Sequence, residues 1–290
     1  AQWPEDVEAQ VAWHVREYEE FQRRFERGGM SAAKQGDWVV LQSLLSHGWC
    51  PDLHRDRRGA SALHWAAGHG HTECVEALLA SGSVQPDDRS GDGATPFLWA
   101  SCGVSGNSFG TGGHVDTVKI LLSWRGFDLG AGAGPGPGEG HPLLHACLDD
   151  RNTCVHWAAW GGDLDTLRYL CEISDDPLAM CQARNSRGCT TAHWACGSGN
   201  LEACRFLAGL GVDFSHRATN HNSNTPLSKA VAHARLNIVE FLIDRQRAEA
   251  AESGEQAHHD KGAAELALEL ATETGEEIRQ EISKLCTAAV

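Results

Sequence analysis

The sequence lacks several features that define large classes of protein. No stretch approaches eighteen consecutive apolar residues, so we expect no membrane-spanning helix. Lys and Arg total 24 against 39 Asp and Glu, and the net charge of −15 argues against nucleic-acid binding, which depends on clustered cationic side chains. The first residues, AQWPEDVEAQ, contain neither an initiator Met nor a secretory signal pattern, so we expect a processed chain or a fragment.

The cysteines also lack a pattern that would mark a disulfide framework. There are 11 of them, an odd number, and none forms a C-x-x-C pair. This usage is typical of buried thiols in a reducing compartment. We therefore expect an intracellular protein, cytoplasmic or nuclear, or organellar if a transit peptide has been removed. The acidic charge predicts protein partners with a basic surface.

An internal repeat is the main positive signal in the sequence. A Ser or Thr opens an apolar segment in each unit, at Ser61, Thr95, Thr153, Thr190 and Thr225. The intervals are 34, 58, 37 and 35 residues. Each unit has a Gly- or Asn-containing turn, a short helix and a second helix with one apolar stripe, as at Val75, Leu78 and Leu79. A unit of this size cannot bury its stripe alone, so the units are predicted to stack into a solenoid.

Three segments carry a resemblance to a known repeat. DRRGASALHWAAGHGHTECVEALLASG at 56–82, GCTTAHWACGSGNLEACRFLAGLGVDF at 188–214 and NTPLSKAVAHARLNIVEFLI at 224–243 are similar to the ankyrin repeat. The resemblance implies an all-α solenoid of stacked helix–turn–helix units with β-turn or hairpin tips. It extends over 28–286, in six to seven units whose terminal members are degenerate.

The predicted boundaries follow from this register. An N-terminal amphipathic helix at 1–27 either packs on the first unit or binds a partner. The units are expected at 28–54, 56–88, 90–128, 149–181, 185–217, 220–245 and 259–286. An insertion at 104–113 interrupts the unit at 90–128, a Gly/Pro-rich insertion occupies 129–148, and a polar linker occupies 246–258.

The repeated His-Trp-Ala motif raises the question of metal binding or proton transfer. His64, His156 and His193 each lie three residues after the helix-opening Ser or Thr. Stacked units place them about 10 Å apart, whereas zinc ligands lie within about 2.0–2.3 Å of one ion. The resemblance implies instead that these histidines tie each helix start to the neighbouring turn. The tryptophans that follow are expected to form a buried aromatic ladder, at Trp65, Trp99, Trp157 and Trp194.

Three weaker motifs in the sequence resemble metal-binding or catalytic sites. Cys189, His193 and Cys196 invite a zinc hypothesis, but Cys196 falls where the repeat has a buried Ala, which Cys replaces readily. GNSFG at 106–110 matches a nucleophile elbow around Ser108, although no strand is expected before it. The sequence HHD at 258–260 is a weak surface metal motif. No convergent set of acid, base and nucleophile remains, so we predict no metal, no cofactor and no enzymatic activity.

The resemblance implies a function in protein binding. In ankyrin arrays the turn tips and the exposed side of the first helices form a concave face that binds protein partners. Mapped onto this sequence, the candidate contact residues are Arg57, Arg58, His69, Asp92, Asp150, Asn152, Trp160, Arg187, His221, Asn222 and His233. We expect a non-catalytic interaction module, a scaffold or subunit. The alternatives are a regulatory portion of a larger enzyme, or an accessory subunit that docks through its insertions and terminal helix.

Overall fold

Short helices separated by glycine-containing turns form most of the structure. The computed structural model describes residues 15–17, 20, 27–105, 108–124, 150–161, 163–219 and 224–253. The helices are α1 (27–35), α2 (Trp38–Ser46), α3 (Ala62–Gly68), α4 (Thr72–Ala80), α5 (Pro96–Cys102), α6 (Val115–Ser123), α7 (Cys154–Gly161), α8 (Leu164–Glu172), α9 (Pro177–Gln182), α10 (Thr191–Ser198), α11 (Leu201–Gly209), α12 (Pro226–Ala232) and α13 (Leu236–Ser253). A 3₁₀ turn spans Pro51–Leu53, and a hairpin of β1 (Val104–Ser105) and β2 (Ser108–Phe109) joins α5 to α6.

The helices stack in two layers, which come from the first and the second helix of each unit. In the inner layer α3 contacts α5, α5 contacts α7, α7 contacts α10 and α10 contacts α12. In the outer layer α2, α4, α6, α8, α11 and α13 follow one another in the same way. The centres of the apolar stripes on the second helices are fully buried, as at Leu78, Leu121, Leu167 and Leu207. The predicted all-α solenoid is confirmed.

The recurring Ser/Thr and His residues join neighbouring units as predicted. His64 Nδ1 accepts hydrogen bonds from the Ser61 backbone N–H at 3.2 Å and from its hydroxyl at 2.9 Å. The other ring nitrogen, Nε2, donates to the Ala94 carbonyl of the next unit at 3.0 Å. His156 and His193 also donate from Nε2 to a carbonyl of the following unit, at 3.2 Å and 3.0 Å. The histidine of the His-Trp-Ala motif therefore hydrogen-bonds each unit to the next.

A second set of contacts between units was not predicted. His71 and His114 immediately precede α4 and α6. Their Nε2 atoms donate to the Lys34 and Gly68 carbonyls of the preceding units, at 3.3 Å and 3.0 Å. The signal in the sequence was a histidine at the same place before the second helix of two units.

The predicted tryptophan ladder is confirmed for one half of the array only. Trp65 and Trp99 are buried and meet edge to face, with ring centroids 5.1 Å apart. Trp157 and Trp194 lie 6.1 Å apart but are only half-buried. The following unit carries Lys229 at this position in place of a fifth tryptophan, so the series of tryptophans ends at Trp194.

The insertion at 104–113 contains two short paired strands, although no strand is expected there from its glycine-rich composition. Val104 pairs with Phe109 and Ser105 with Ser108 in an antiparallel register. Gly110 lies against the next unit, where a Cβ atom on this residue would lie 2.7 Å from Trp160 Nε1. The hairpin therefore lies beside the inner helices.

The predicted polar linker at 246–258 is wrong in its first part, because α13 continues to Ser253. The pair Arg245–Glu249, 2.8 Å apart at i,i+4 spacing, supports the helix there. Within the predicted N-terminal helix, residues 15–17, 20 and 27 are helical, and the others lie outside the described residues. The insertion at 129–148, the HHD motif and the unit at 259–286 also lie outside them.

Candidate partner-binding surface

The candidate contact residues occupy three kinds of environment. The exposed ones are Arg57, Arg58, Asp92, Arg187 and His233. The half-buried ones are His69, Asp150 and Trp160, while Asn152 is buried. His221 and Asn222 lie outside the described residues.

Backbone hydrogen bonds tie successive turn tips together. Each joins an N–H of one tip to a carbonyl of the preceding tip: Gly91 to Arg58 (2.7 Å), Ser186 to Asp150 (2.8 Å) and Thr219 to Arg187 (3.1 Å). These bonds use main-chain groups and leave the long side chains of the tips exposed. These bonds therefore hold two tips together in the first part of the array and three in the second part.

The assignment of Asn152 to the contact surface is wrong. Its side chain is 1% exposed, and its Oδ1 accepts a hydrogen bond from Asn185 Nδ2 of the next tip at 2.8 Å. Its own amide donates to the Asp150 carboxylate. Asn185 in turn accepts the Cys189 backbone N–H through Oδ1 at 2.9 Å. The burial comes from the neighbouring unit, so a single unit of sequence does not reveal it.

Replacement of Asn152 by Ala is expected to lower the free energy of unfolding by about 1–3 kcal/mol, because it leaves the buried Asn185 amide without its acceptor. Urea denaturation measures the change. Arg57→Ala, at an exposed tip, is the matched control and should change stability by less than about 0.5 kcal/mol. Equal stability of the two variants would contradict the structural role.

Three of the candidates from successive units meet at one pocket on the inner helices. Trp160 comes from α7, Arg187 from the turn before α10, and His233 from the end of α12. Trp194 and Lys229 also line the pocket, as do Asn185, Cys189, His193 and Gly197, and its volume is about 290 Å³. The other described candidates do not line it.

Aromatic rings form the wall of this pocket. Trp160 meets Trp194 edge to face at a centroid distance of 5.4 Å, and His233 lies 6.2 Å from Trp160. Gly197 leaves the space between them open: a Cβ atom there would lie 3.5 Å from the Trp160 ring and 3.6 Å from the His233 ring. The pocket therefore offers flat apolar surfaces on a rigid helical frame.

The charges around the pocket are positive. Burial lowers the pKa of His233, and the charges of Lys229 and Arg235 lower it further. Burial raises the pKa of the Cys189 thiol, while Lys229 and Arg187 act in the opposite direction. Among the described residues, no carboxylate lies within ion-pair distance of Arg187 or Lys229.

The zinc hypothesis for Cys189, His193 and Cys196 is not supported by the hydrogen bonds of the histidine. His193 Nδ1 accepts from the Thr190 backbone N–H at 3.1 Å, and Nε2 donates to the Asn224 carbonyl at 3.0 Å. Both nitrogens that could bind a metal are therefore engaged. Over the described ranges, no group of three or more His, Cys, Asp or Glu residues could hold a metal ion.

The nucleophile-elbow match also lies in an unsuitable context. Ser108 begins β2 of the hairpin, so the motif joins two short strands. A nucleophile elbow requires a sharp turn from a strand into a helix.

Lys229 and Trp194 are the pocket residues that sequence reasoning missed as contacts. Both stand at the tryptophan position of the repeat, which was assigned to the core. The available signal was the change from Trp to Lys at position 229, because a lysine at a buried position is rare unless its ammonium group reaches solvent or a partner.

Comparison with known proteins agrees with the fold. The family model for ankyrin repeats (3 copies) matches residues 30–133, 110–218 and 155–253, and the chain belongs to this family. It is also 37% identical over 65 residues to the Espin-like protein of Homo sapiens, an alignment that covers 22% of this chain and 6% of that protein. The chain thus matches only a small part of the length of this curated relative. Ankyrin repeats generally serve as protein–protein interaction modules and are typically non-catalytic.

Over the ranges that the structure describes, no helix combines the length and apolar character needed to cross a membrane.

Proposed function

We propose that this chain is a non-catalytic scaffold or subunit that binds a protein partner on the exposed side of its inner helices and on the adjoining turn tips. The centre of the binding surface is the pocket formed by Trp160, Arg187, Trp194, Lys229 and His233, here called the Trp160 pocket.

The observation that carries this proposal is the convergence of three successive units on the Trp160 pocket. Tryptophan and arginine are the residues most enriched at the energetic centres of protein interfaces. The rings are held by the stacked helices before any partner arrives, so little conformational entropy is lost on binding. Exposed cationic side chains at the rim can orient an incoming chain.

Replacement of Trp160 by Ala is expected to weaken partner binding at least about 30-fold, the loss typical of an aromatic residue at an interface centre. Affinity purification of the full chain with quantitative mass spectrometry identifies the partners, and titration of the purified partner gives the Kd. Circular dichroism and thermal melting establish that the variant remains folded.

Trp38→Ala is the matched control, because Trp38 is another partly exposed tryptophan (45%) and lies on α2. It should leave partner binding within about twofold of the unchanged chain. Retention of every partner, at unchanged affinity, by the folded Trp160→Ala variant would refute the proposed surface.

A further inference from the structure

The Trp160 pocket has a charge opposite to that of the chain as a whole. The full sequence carries a net charge of −15, which by itself favours basic partners. Arg187 and Lys229 nevertheless both line the pocket, and His233 lies at its edge with Arg235 nearby. The charge inside the pocket, which a bound segment would contact, is therefore positive although the net charge of the chain is negative.

The cationic groups of the pocket are not neutralised by the described part of the chain. No described carboxylate pairs with Arg187 or Lys229. The carboxylate of Asp150, at the preceding tip, already accepts hydrogen bonds from Asn152. The adjoining sequence at 220–223, Asn-His-Asn-Ser, contains no acidic residue. A carboxylate from a partner would therefore meet two positive charges that no described carboxylate pairs with.

The position of Lys229 strengthens this electrostatic preference. It is half-buried in α12 at the place that holds tryptophan in four earlier units. The stem of Lys229 is partly covered by the neighbouring helices, which limits the positions that its ammonium group can take beside an incoming carboxylate. Arg187 adds a planar guanidinium that can bind a carboxylate through two parallel hydrogen bonds.

The two tryptophans set a second requirement beside the charge. Trp160 and Trp194 present flat apolar faces within the same pocket. A segment that carried only carboxylates would leave these faces in water. Burying an aliphatic or aromatic side chain against them contributes about 25 cal/mol per Å² of apolar area removed from water.

We infer that the Trp160 pocket recognises an acidic peptide segment of a protein partner, in which an Asp or Glu side chain pairs with Arg187 and Lys229 and a neighbouring apolar side chain packs on Trp160 and Trp194. This inference rests on the proposed function, because it specifies the chemistry of the partner at the same surface.

A random peptide library displayed on phage, selected against the full chain, tests the inference. The enriched sequences should place Asp or Glu beside an aliphatic or aromatic residue. The leading peptide, labelled with fluorescein, is then titrated by fluorescence anisotropy. Arg187→Glu should weaken its binding at least about tenfold, because it sets like charges against each other. Lys229→Met, which keeps an aliphatic chain, should weaken it by about three- to tenfold.

The matched control is Arg205→Glu, which makes the same charge reversal at an exposed position of α11 in the outer layer, outside the pocket and the turn tips. It should change the Kd by less than about twofold, since separated surface charges are screened by salt. A peptide with Asn or Gln in place of its acidic residue should bind the unchanged chain and the Arg187→Glu variant with nearly equal affinity.

The outcomes separate this inference from the proposed function. Failure to enrich any peptide, a basic or purely apolar consensus, or an equal loss in Arg205→Glu overturns the inference. A single-stranded oligonucleotide that displaces the peptide would assign the positive charges to nucleic acid and also overturn it.

If neutral peptides bind and Trp160→Ala abolishes their binding, the proposed surface stands and the acidic partner does not. If acidic peptides bind Trp160→Ala with unchanged affinity, the proposed surface itself is wrong.

Discussion

Acidification from about pH 7.5 to about pH 5 is expected to lower the free energy of unfolding by up to about 6 kcal/mol. Burial lowers the pKa of His64, His156 and His193 to about 4, although each donates to a backbone carbonyl that acts in the opposite direction. In the unfolded chain these side chains take up protons below about pH 6.5, whereas in the folded chain they stay neutral until about pH 4. Their contribution is therefore complete above about pH 6.5 and is lost as the pH falls towards 4, at about 2 kcal/mol per histidine at pH 5.

The hydrogen bonds of the three histidines also predict that protonation destabilises the folded chain, in agreement with the lowered pKa values. In each of these histidines Nδ1 accepts a backbone N–H, from Ser61, Thr153 or Thr190. A protonated Nδ1 would face that N–H as a second donor, and the bond would be lost.

Urea denaturation at a series of pH values measures the effect. In the unchanged chain the free energy of unfolding should fall steeply below about pH 6.5, with a slope that approaches three protons. The His64→Gln variant should be less stable near neutral pH. The slope of its free energy of unfolding against pH should be smaller by about one proton, because one buried histidine has been removed. His47→Gln, at an exposed position, is the control and should leave the slope unchanged. A free energy that stays constant between about pH 7.5 and 5 would contradict the structural role of the three buried rings.

Replacement of Gly103 by Ala is expected to destabilise the chain by at least about 3 kcal/mol, a value reserved for changes with a specific steric cause. Gly103 ends α5 with φ +73°, in the left-handed region that favours glycine. A Cβ atom there would lie 1.6 Å from the Gly112 carbonyl oxygen at the far end of the insertion. Because the Gly112 oxygen belongs to the backbone and not to a flexible side chain, the segment around Gly112 would have to move.

The Gly82→Ala variant separates the cost of a positive φ from the cost of the clash with the Gly112 carbonyl oxygen. Gly82 has nearly the same φ, +72°, but a Cβ atom there would meet nothing within 4 Å. It should therefore show only the backbone penalty, about 1–2 kcal/mol. Thermal and urea unfolding of both variants give the comparison. If the two substitutions are equally costly, the close approach at Gly103 does not restrain the hairpin.

The features that sequence reasoning predicted best were the local and repeated ones. The spacing of three residues between Ser61 and His64 fixes a helix start and its hydrogen bond without reference to the rest of the chain. The same spacing recurs, so the register of the array follows from it. The candidate contact positions Trp160, Arg187 and His233 follow from that register, and they line one pocket; their role in binding stays a prediction.

Two kinds of feature were missed. One kind depends on contacts with a neighbouring unit, and the other lies in segments whose composition fits both a loop and a helix or strand. Asn152 was placed on the surface because its burial by Asn185 comes from the next tip. The glycine-rich insertion gave no periodicity, yet Val104 is buried and pairs in a hairpin. The charged segment after residue 245 looked like a linker, but its charges are spaced to pair along a helix.

The stacking bonds also connect recognition to folding. The Trp160 pocket takes side chains from three units, and the bond from His193 to the Asn224 carbonyl joins the last two of them. If the unit of α12 and α13 separated from the array, Lys229 and His233 would leave the pocket although every residue remained chemically intact. Because stacked repeats are stabilised mainly by their nearest neighbours, detachment of this unit and occupancy of the pocket are opposing equilibria. A ligand bound in the pocket would therefore hold this unit against the preceding ones.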